Sequence, residues 1–141
     1  FWTERIGPSA ALATLEIMQN EESWNYITKN GKYLKKSWDK LAEKYNIKIK
    51  HFGIPALAGF EFEHEDSNLY KTFITQEMLK KGFLATNSVY LSIYHNRKNL
   101  DNYLNNLNDI FKRIRKCENG SSKIKNLLET NVAKIPFSRL N

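Results

Sequence analysis

The stretch from Asn99 to Arg115 has an apolar residue at almost every third or fourth position, and this spacing constrains the fold more than any other feature. It predicts an amphipathic α-helix, because residues three and four apart lie on the same helical face. A helix of this kind needs another structural layer to cover its apolar face. The apolar positions are Leu100, Tyr103, Leu104, Leu107, Ile110, Phe111 and Ile114.

Two further helices are predicted in the first third of the chain. Gly7-Pro8 marks the start of a short helix that is rich in Ala and Leu and is interrupted near Asn20. Ser23 can cap a longer second helix, whose apolar stripe we expect to pack into the core. An alternative is that Trp24 and Trp38 form a face for a partner. The stripe consists of Trp24, Ile27, Gly31, Leu34, Trp38, Leu41 and Tyr45.

Alternating apolar and polar residues predict two strands in the middle of the chain. The first covers residues 47–52, a turn follows at Gly53–Pro55, and the second covers residues 56–63. In the second strand Phe60 and Phe62 fall on one face, which we expect to be buried.

The remaining order signals complete an α+β pattern. Ser67 or Asn68 can cap a helix that runs through Lys81, and Gly82 is its expected stop. An extended segment, residues 83–94, then leads into the final helix. Helices and strands do not alternate regularly, so we predict an α+β domain with a small, mostly antiparallel sheet packed against helices.

Size and composition fit one globular domain. The chain has 141 residues, 41% of them hydrophobic, which is enough to form a core. No apolar run approaches the roughly 20 residues of a membrane helix, so no membrane contact is predicted. Cys117 is the single cysteine and excludes an internal disulfide, which favours a reducing, cytoplasmic location.

The net charge of +7 is unevenly distributed. Residues 1–95 hold 12 basic and 11 acidic groups, whereas residues 96–141 hold 10 basic and 4 acidic groups. A nucleic-acid surface is one interpretation of the basic end. We favour a solvated helix end, because Arg113, Arg115 and Lys116 are not interleaved with aromatic residues that could stack on bases.

Most catalytic motifs are absent from the sequence. It contains no glycine-rich nucleotide loop and no nucleophile elbow. The three histidines are dispersed, so no metal site is predicted. Glu61 and Glu63 alternate with buried positions and are interpreted as an exposed strand face rather than as an acid/base pair. No catalytic residue is predicted within the chain.

The first residues carry the one chemical motif that remains. Thr3 precedes the start of a helix at Gly7-Pro8. A threonine hydroxyl can donate a hydrogen bond to a phosphate, and the free N–H groups and dipole of a helix N-terminus also favour an anion. Arg5 can add a charge-assisted contact, although Glu4 and Arg5 could equally form a surface ion pair.

Several motifs occur in an order that resembles the class III, fold-type I aminotransferases that use pyridoxal 5'-phosphate. The opening run Phe1–Glu16 is similar to the family's phosphate loop and small-residue helix. Ala58–Phe62 matches its Gly-x-x-Phe strand, Leu79–Phe83 its Leu-x-x-Gly-aromatic helix end, and Ser92–His95 its Ser-x-x-His element. The resemblance covers roughly residues 1–115. It is greatest to the branch of glutamate-1-semialdehyde 2,1-aminomutase.

The resemblance implies a C-terminal piece of a longer homodimeric enzyme that moves an amino group by Schiff-base chemistry. Residues 1–20 would form the phosphate loop and interface helix, residues 21–116 the small α+β domain, and residues 117–141 a linker and tail. Thr3 would bind the cofactor phosphate held by the partner subunit. Glu4 and Arg5 are candidates for the entrance of a small amino or keto substrate.

The resemblance also implies what this piece lacks. The family's catalytic lysine lies upstream, so we expect the chain alone to be inactive. Many class III transaminases bind a substrate carboxylate through an arginine in this domain, and Val89–Tyr94 contains none. The family's Gly-Asn-Pro is Ile6-Gly7-Pro8 here. The alternative function is a stand-alone basic α+β module for binding or dimerisation.

Overall fold

A computed structural model describes residues 4–120 and 123–133 of the chain. It confirms the predicted α+β class and the predicted order of elements. Four α-helices and three strands are followed by a short 3-10 helix within the described residues. Their bounds are α1 Ile6–Asn20, α2 Ser23–Lys44, β1 Ile49–Phe52, β2 Leu57–Phe62, α3 Ser67–Lys80, β3 Ser88–Tyr90, α4 Arg97–Glu118 and the 3-10 helix Ile124–Leu127.

The three strands form an antiparallel sheet in the order β1-β2-β3. Ile49 pairs with Phe62 across the first ladder, and Leu57 pairs with Tyr90 across the second. Phe60 and Phe62 are buried while Glu61 and Glu63 are exposed, which confirms the predicted alternation. The central strand therefore presents Phe60 and Phe62 to the core and Glu61 to solvent, while Gly59 is buried beside the Phe52 ring.

Helix α4 forms one side of the core. All seven apolar residues predicted for its inner face are buried, with Leu107, Phe111 and Ile114 fully enclosed. Phe111 lies between the two buried strand residues, 5.9 Å from the ring of Phe60 and 5.6 Å from that of Phe62. The local periodicity of the sequence was sufficient here, because one continuous helical face meets one face of the sheet.

Helix α2 corrects two details of the prediction. Ser23 is the first helical residue and is buried; the capping position is Glu22, which has the left-handed φ of 44° and no side-chain cap. Trp38 is fully buried, whereas Trp24 is 47% exposed. A partner-binding face made of both tryptophans is therefore wrong, because one of them is unavailable to a partner.

A glycine allows α2 to contact the turn between β1 and β2. A Cβ atom on Gly31 would collide with the backbone of Pro55. Lys35, one turn further along α2, donates to the carbonyl oxygen of Gly53 in the same turn. The small residue in the predicted apolar stripe thus has a packing role, since it lets helix backbone and turn backbone touch.

Helix α3 begins at Ser67, so the two predicted caps, Ser67 and Asn68, are its first two helical residues. Its N-cap is Asp66, without a side-chain cap hydrogen bond, and Asn68 instead donates to the carbonyl oxygen of Ala133. Gly82 follows the helix with a φ of 79°, as a C-terminal stop requires. The predicted extended segment after it contains only the short strand β3, with Val89 partly buried and Ile93 exposed.

Residues 123–133 lie along α3. Ile124 is buried in the core, and Gln76 of α3 donates to the carbonyl oxygen of Leu127 at 3.0 Å. Further along, the Ala133 N–H donates to Thr72 at 3.1 Å. We refer to residues 123–133 as the strap. None of the helices within residues 4–120 and 123–133 has the length and apolar character needed to cross a membrane.

Candidate functional site

The predicted phosphate site lies at the N-terminus of α1. Thr3 lies outside the described residues, so the description of the site begins at Glu4. Glu4 and Arg5 are both exposed, and Arg5 is the N-cap of α1 with helical backbone angles. Its side chain makes no cap hydrogen bond, while its carbonyl oxygen accepts from the N–H of Ser9 at 3.0 Å.

This helix end has donors available for an anion. The N–H groups of Ile6 and Gly7 precede the first intrahelical bond, and Pro8 has no N–H. No cap hydrogen bond satisfies them within the described residues. The helix dipole adds positive potential at the same point. A phosphate group is chemically suited to such an end.

Helix α1 has no buried residue along its whole length. Its large apolar residues are exposed by 40% to 73%, and the helix contacts α2 within the described chain. Exposed apolar surface of this extent usually marks an interaction site. These residues are Ile6, Leu12, Leu15, Ile17 and Met18.

The Ser-x-x-His element shapes the turn before α4. His95 accepts through Nδ1 from the N–H of Ser92 at 3.0 Å, and the Ser92 hydroxyl lies 2.9 Å from the same nitrogen. The His95 carbonyl oxygen accepts from Asn30 at 3.0 Å and from Tyr26 at 3.4 Å. Side chains of α2 therefore hold this turn in place. Because Nδ1 of His95 accepts a hydrogen bond, the neutral ring carries its proton on Nε2.

Sequence reasoning missed a polar cluster between α2 and α4. The Arg97 guanidinium carbon lies 3.3 Å above the ring of Tyr33, and Arg97 pairs with Asp101 at 3.0 Å. The Tyr33 hydroxyl donates to Asp101 at 2.5 Å. Burial, followed by this bond, raises the pKa of Tyr33 above 10.0. The four-residue spacing of Arg97 and Asp101 was the one feature of the sequence that could have indicated this ion pair.

The clefts in the described part of the chain include two that lie near opposite ends of α4. One, of about 540 Å³, lies between residues 83–90 and the start of α4, and His95 is on its wall. The other, of about 710 Å³, lies between the β1 and β2 ends, α3, α4 and the strap. Both fall in the size range of small-molecule sites.

No group of metal-binding side chains occurs in residues 4–120 and 123–133, and each histidine has a different neighbour. His51 bonds to Asp39 at 2.6 Å, and His64 stacks on Tyr70 with ring centroids 5.0 Å apart. His95 bonds to Ser92. The histidines therefore serve separate local structures.

Comparison with known proteins gives two similarities. No protein-family model matches the chain. It is 29% identical over 114 residues to an acetylornithine aminotransferase of Methanocaldococcus jannaschii, covering 77% of this chain and 27% of that protein. The PLP internal aldimine form of the FumI protein of Sphingopyxis sp. MTA144 superposes with a TM-score of 0.67 and 16% identity, over 84% of this chain and 29% of that chain.

The chain therefore spans less than a third of the proteins that it matches. The structural likeness shows the fold, a small α+β domain of the kind found in pyridoxal-phosphate enzymes. Together with the curated relative, it confirms the predicted resemblance to the C-terminal domain of a pyridoxal-phosphate aminotransferase. The aminomutase subtype, the domain boundaries and the roles of Thr3, Glu4 and Arg5 stay predictions.

Proposed function

We propose that the chain is the small C-terminal domain, with its phosphate loop, of a pyridoxal-phosphate-dependent aminotransferase or aminomutase. The observation that carries the proposal is α1, an exposed apolar helix whose first N–H groups have no side-chain cap hydrogen bond from any residue in 4–120. Both relatives support the class, and both are more than three times longer than the matched region. The divisions 1–20, 21–116 and 117–141 follow from this proposal.

The residues around the start of α1 fit the phosphate of the cofactor. The N–H groups of Ile6 and Gly7 and the helix dipole favour an anion, and Arg5 adds a positive charge. Thr3 would donate a further hydrogen bond through its hydroxyl. Pyridoxal phosphate, when bound, supplies the electron sink for amino-group transfer. The role of this chain is to hold the phosphate and so orient the cofactor.

A homodimer follows from this role, since the loop would serve the cofactor of the partner subunit. The exposed apolar residues of α1 would be covered by the large domain or the second subunit. Glu4 and Arg5 would line the entrance for a small amino or keto substrate. Among the possible parents, we favour a glutamate-1-semialdehyde 2,1-aminomutase-like enzyme on the motif resemblance.

The first test is the activity of the 141-residue chain alone. We expect no turnover of an amino donor with added cofactor, because the lysine that releases and transfers protons would lie upstream. Absorbance of added pyridoxal phosphate, followed with several amino donors, measures this. Turnover by the purified chain would overturn the assignment to a non-catalytic domain.

The second test examines Thr3 in the natural full-length protein. Thr3→Ala should weaken cofactor binding about tenfold, the effect of one lost charge-assisted hydrogen bond. Thr14→Ala is the matched control, because the Thr14 hydroxyl is exposed and donates to the carbonyl oxygen of Ala10 within α1. Equal cofactor affinity of the two variants would remove Thr3 from the phosphate site.

A further inference from the structure

The larger cleft is lined by residues that are distant in sequence from the phosphate loop. It includes several lysines that have no role in the proposed function. Its apolar floor includes Ile47, Phe62, Leu69 and Ile124, and the strap supplies one wall. We propose that this cleft binds a small polyanion of the phosphate class. The proposal is independent of the proposed function.

Three lysines at the cleft have no acidic partner within the described part of the chain. Lys123 and Lys125 flank the buried Ile124 on the strap, and Lys48 precedes β1. All three are exposed, and none occurs among the ion pairs of the described residues. Lysine ammonium groups are compact charges that bind phosphates well.

One of the three acidic residues of the cleft is engaged, since Glu118 accepts from Arg115 at 3.0 Å and from Tyr70 at 3.1 Å. The Asp66 carboxylate lies 3.9 Å from Nδ1 of His64, which accepts a hydrogen bond from the Asp66 N–H, so neutral His64 leaves this carboxylate unpaired. The Glu63 N–H donates to the carbonyl oxygen of Lys48 at 3.0 Å, but their side chains form no ion pair in the described structure. The three lysines outnumber these two unpaired acids, so the unpaired charges sum to a positive cleft.

One wall also offers a ring surface and a donor. His64 stacks on Tyr70 at an interplanar angle of 22° and keeps 40% of its side chain exposed. Its Nδ1 accepts from the N–H of Asp66 at 3.1 Å, so the neutral ring carries its proton on Nε2. The cleft would therefore accommodate the phosphate groups of a ligand at the lysines and a ring of the same ligand near His64.

The strap is held firmly enough to form a wall. Ile124 is only 4% exposed, and Gln76 bonds both to the Leu127 carbonyl oxygen and to the N–H of Glu129. Lys80 bonds to Glu129 at 2.5 Å. The lysines at 123 and 125 are therefore presented from an ordered backbone, which lowers the entropic cost of binding. A concave cleft favours a small ligand over a duplex.

The test is calorimetric titration of the 141-residue chain with inorganic pyrophosphate at low ionic strength. The double variant Lys123→Gln/Lys125→Gln should bind about tenfold more weakly, and Glu63→Gln several-fold more tightly, since Coulomb interactions at the cleft change in opposite directions. The double variant Lys36→Gln/Lys40→Gln on exposed α2 positions has the same charge change and should retain wild-type affinity.

Competition experiments with ADP distinguish an organic phosphate ligand from inorganic phosphate groups alone. Tighter binding of ADP than of pyrophosphate, lost in His64→Ala, would support an organic phosphate; equal binding would support recognition of the phosphate groups alone. Absence of pyrophosphate binding, or an equal loss in the control double variant, overturns the proposal. Tighter binding of an unrelated oligonucleotide, insensitive to pyrophosphate, would also overturn it in favour of a nucleic-acid surface.

Discussion

Arg113 of α4 donates a hydrogen bond to Glu77 of α3, a carboxylate that is only 8% exposed. Lys80 and Gln76 also donate to Glu77, each to Oε1, and Lys80 continues the chain of contacts to Glu129 of the strap. One buried acid thus links two helices and the strap. Replacing it tests whether this linkage stabilises the fold.

Glu77→Gln should lower the free energy of unfolding by about 1–2 kcal/mol. The reason is that Arg113 and Lys80 would then face a neutral amide instead of a carboxylate, while the site stays buried. Urea denaturation followed by tryptophan fluorescence measures the difference. Glu61→Gln, on the exposed strand face, is the matched control and should change stability by less than about 0.5 kcal/mol. Equal effects would remove any special role of Glu77.

The pH dependence of the same site has a definite sign. Burial alone would raise the pKa of Glu77, but hydrogen bonds from Gln76, Lys80 and Arg113 outweigh it and hold the pKa below 4.5. The unfolded chain therefore binds more protons just below pH 4.5. The stabilisation by Glu77 is full above that pH and is lost as pH falls through the folded pKa.

We therefore expect the stability difference between wild type and Glu77→Gln to be largest near neutral pH and to shrink below pH 4.5. Denaturation curves of both proteins from neutral to acid pH measure it. A difference that stays constant over this range would show that the lost contacts do not depend on the charge of Glu77.

Gly31→Ala should be strongly destabilising, by about 2–4 kcal/mol, because the added methyl group meets the Pro55 backbone and not a movable side chain. Gly7→Ala is the control, since a Cβ there has no neighbour within 4 Å. It should stabilise α1 slightly, by about 0.5–1 kcal/mol. Thermal unfolding of both variants measures these effects. Equal shifts of the two unfolding midpoints would contradict the packing role of Gly31.

The sequence was most informative where structure depends on local periodicity. The inner face of α4 and the alternation of Phe60 and Phe62 were predicted residue by residue, because each pattern meets a single core. The burial of Glu77 was not predicted, since its partner Arg113 lies 36 residues away and a polar residue on a helix ordinarily faces solvent. Ser23 is not the cap of α2, because the helix already begins at Ser23 and Glu22 takes the capping position.

The candidate site was predicted by motif order rather than by local chemistry. The resemblance indicated which class of enzyme contains a threonine loop before a small-residue helix, and the relatives agree with that class. Residues 48 and 63 and residues 123–125 form one cleft only after the strap has packed on α3. No sequence pattern predicts that juxtaposition, because it depends on tertiary contacts across more than 60 residues.

The double variant Leu12→Gln/Leu15→Gln tests whether α1 is an interface helix. Leu12 and Leu15 are 69% and 60% exposed, so within the 141-residue chain we expect less than about 0.5 kcal/mol change in the free energy of unfolding. Leu34→Ala, at a fully buried position of α2, should cost about 2–5 kcal/mol and serves as the positive control.

In the longer enzyme that we propose, the same two leucines would contact the large domain or the second subunit. There we expect the double variant to weaken dimerisation and to lower thermal stability, because apolar surface buried at that contact is replaced by amides. Sedimentation and thermal unfolding measure these two effects. A loss of stability in the isolated chain as large as that of Leu34→Ala would instead mean that α1 packs on this domain itself, and the interface assignment would fail.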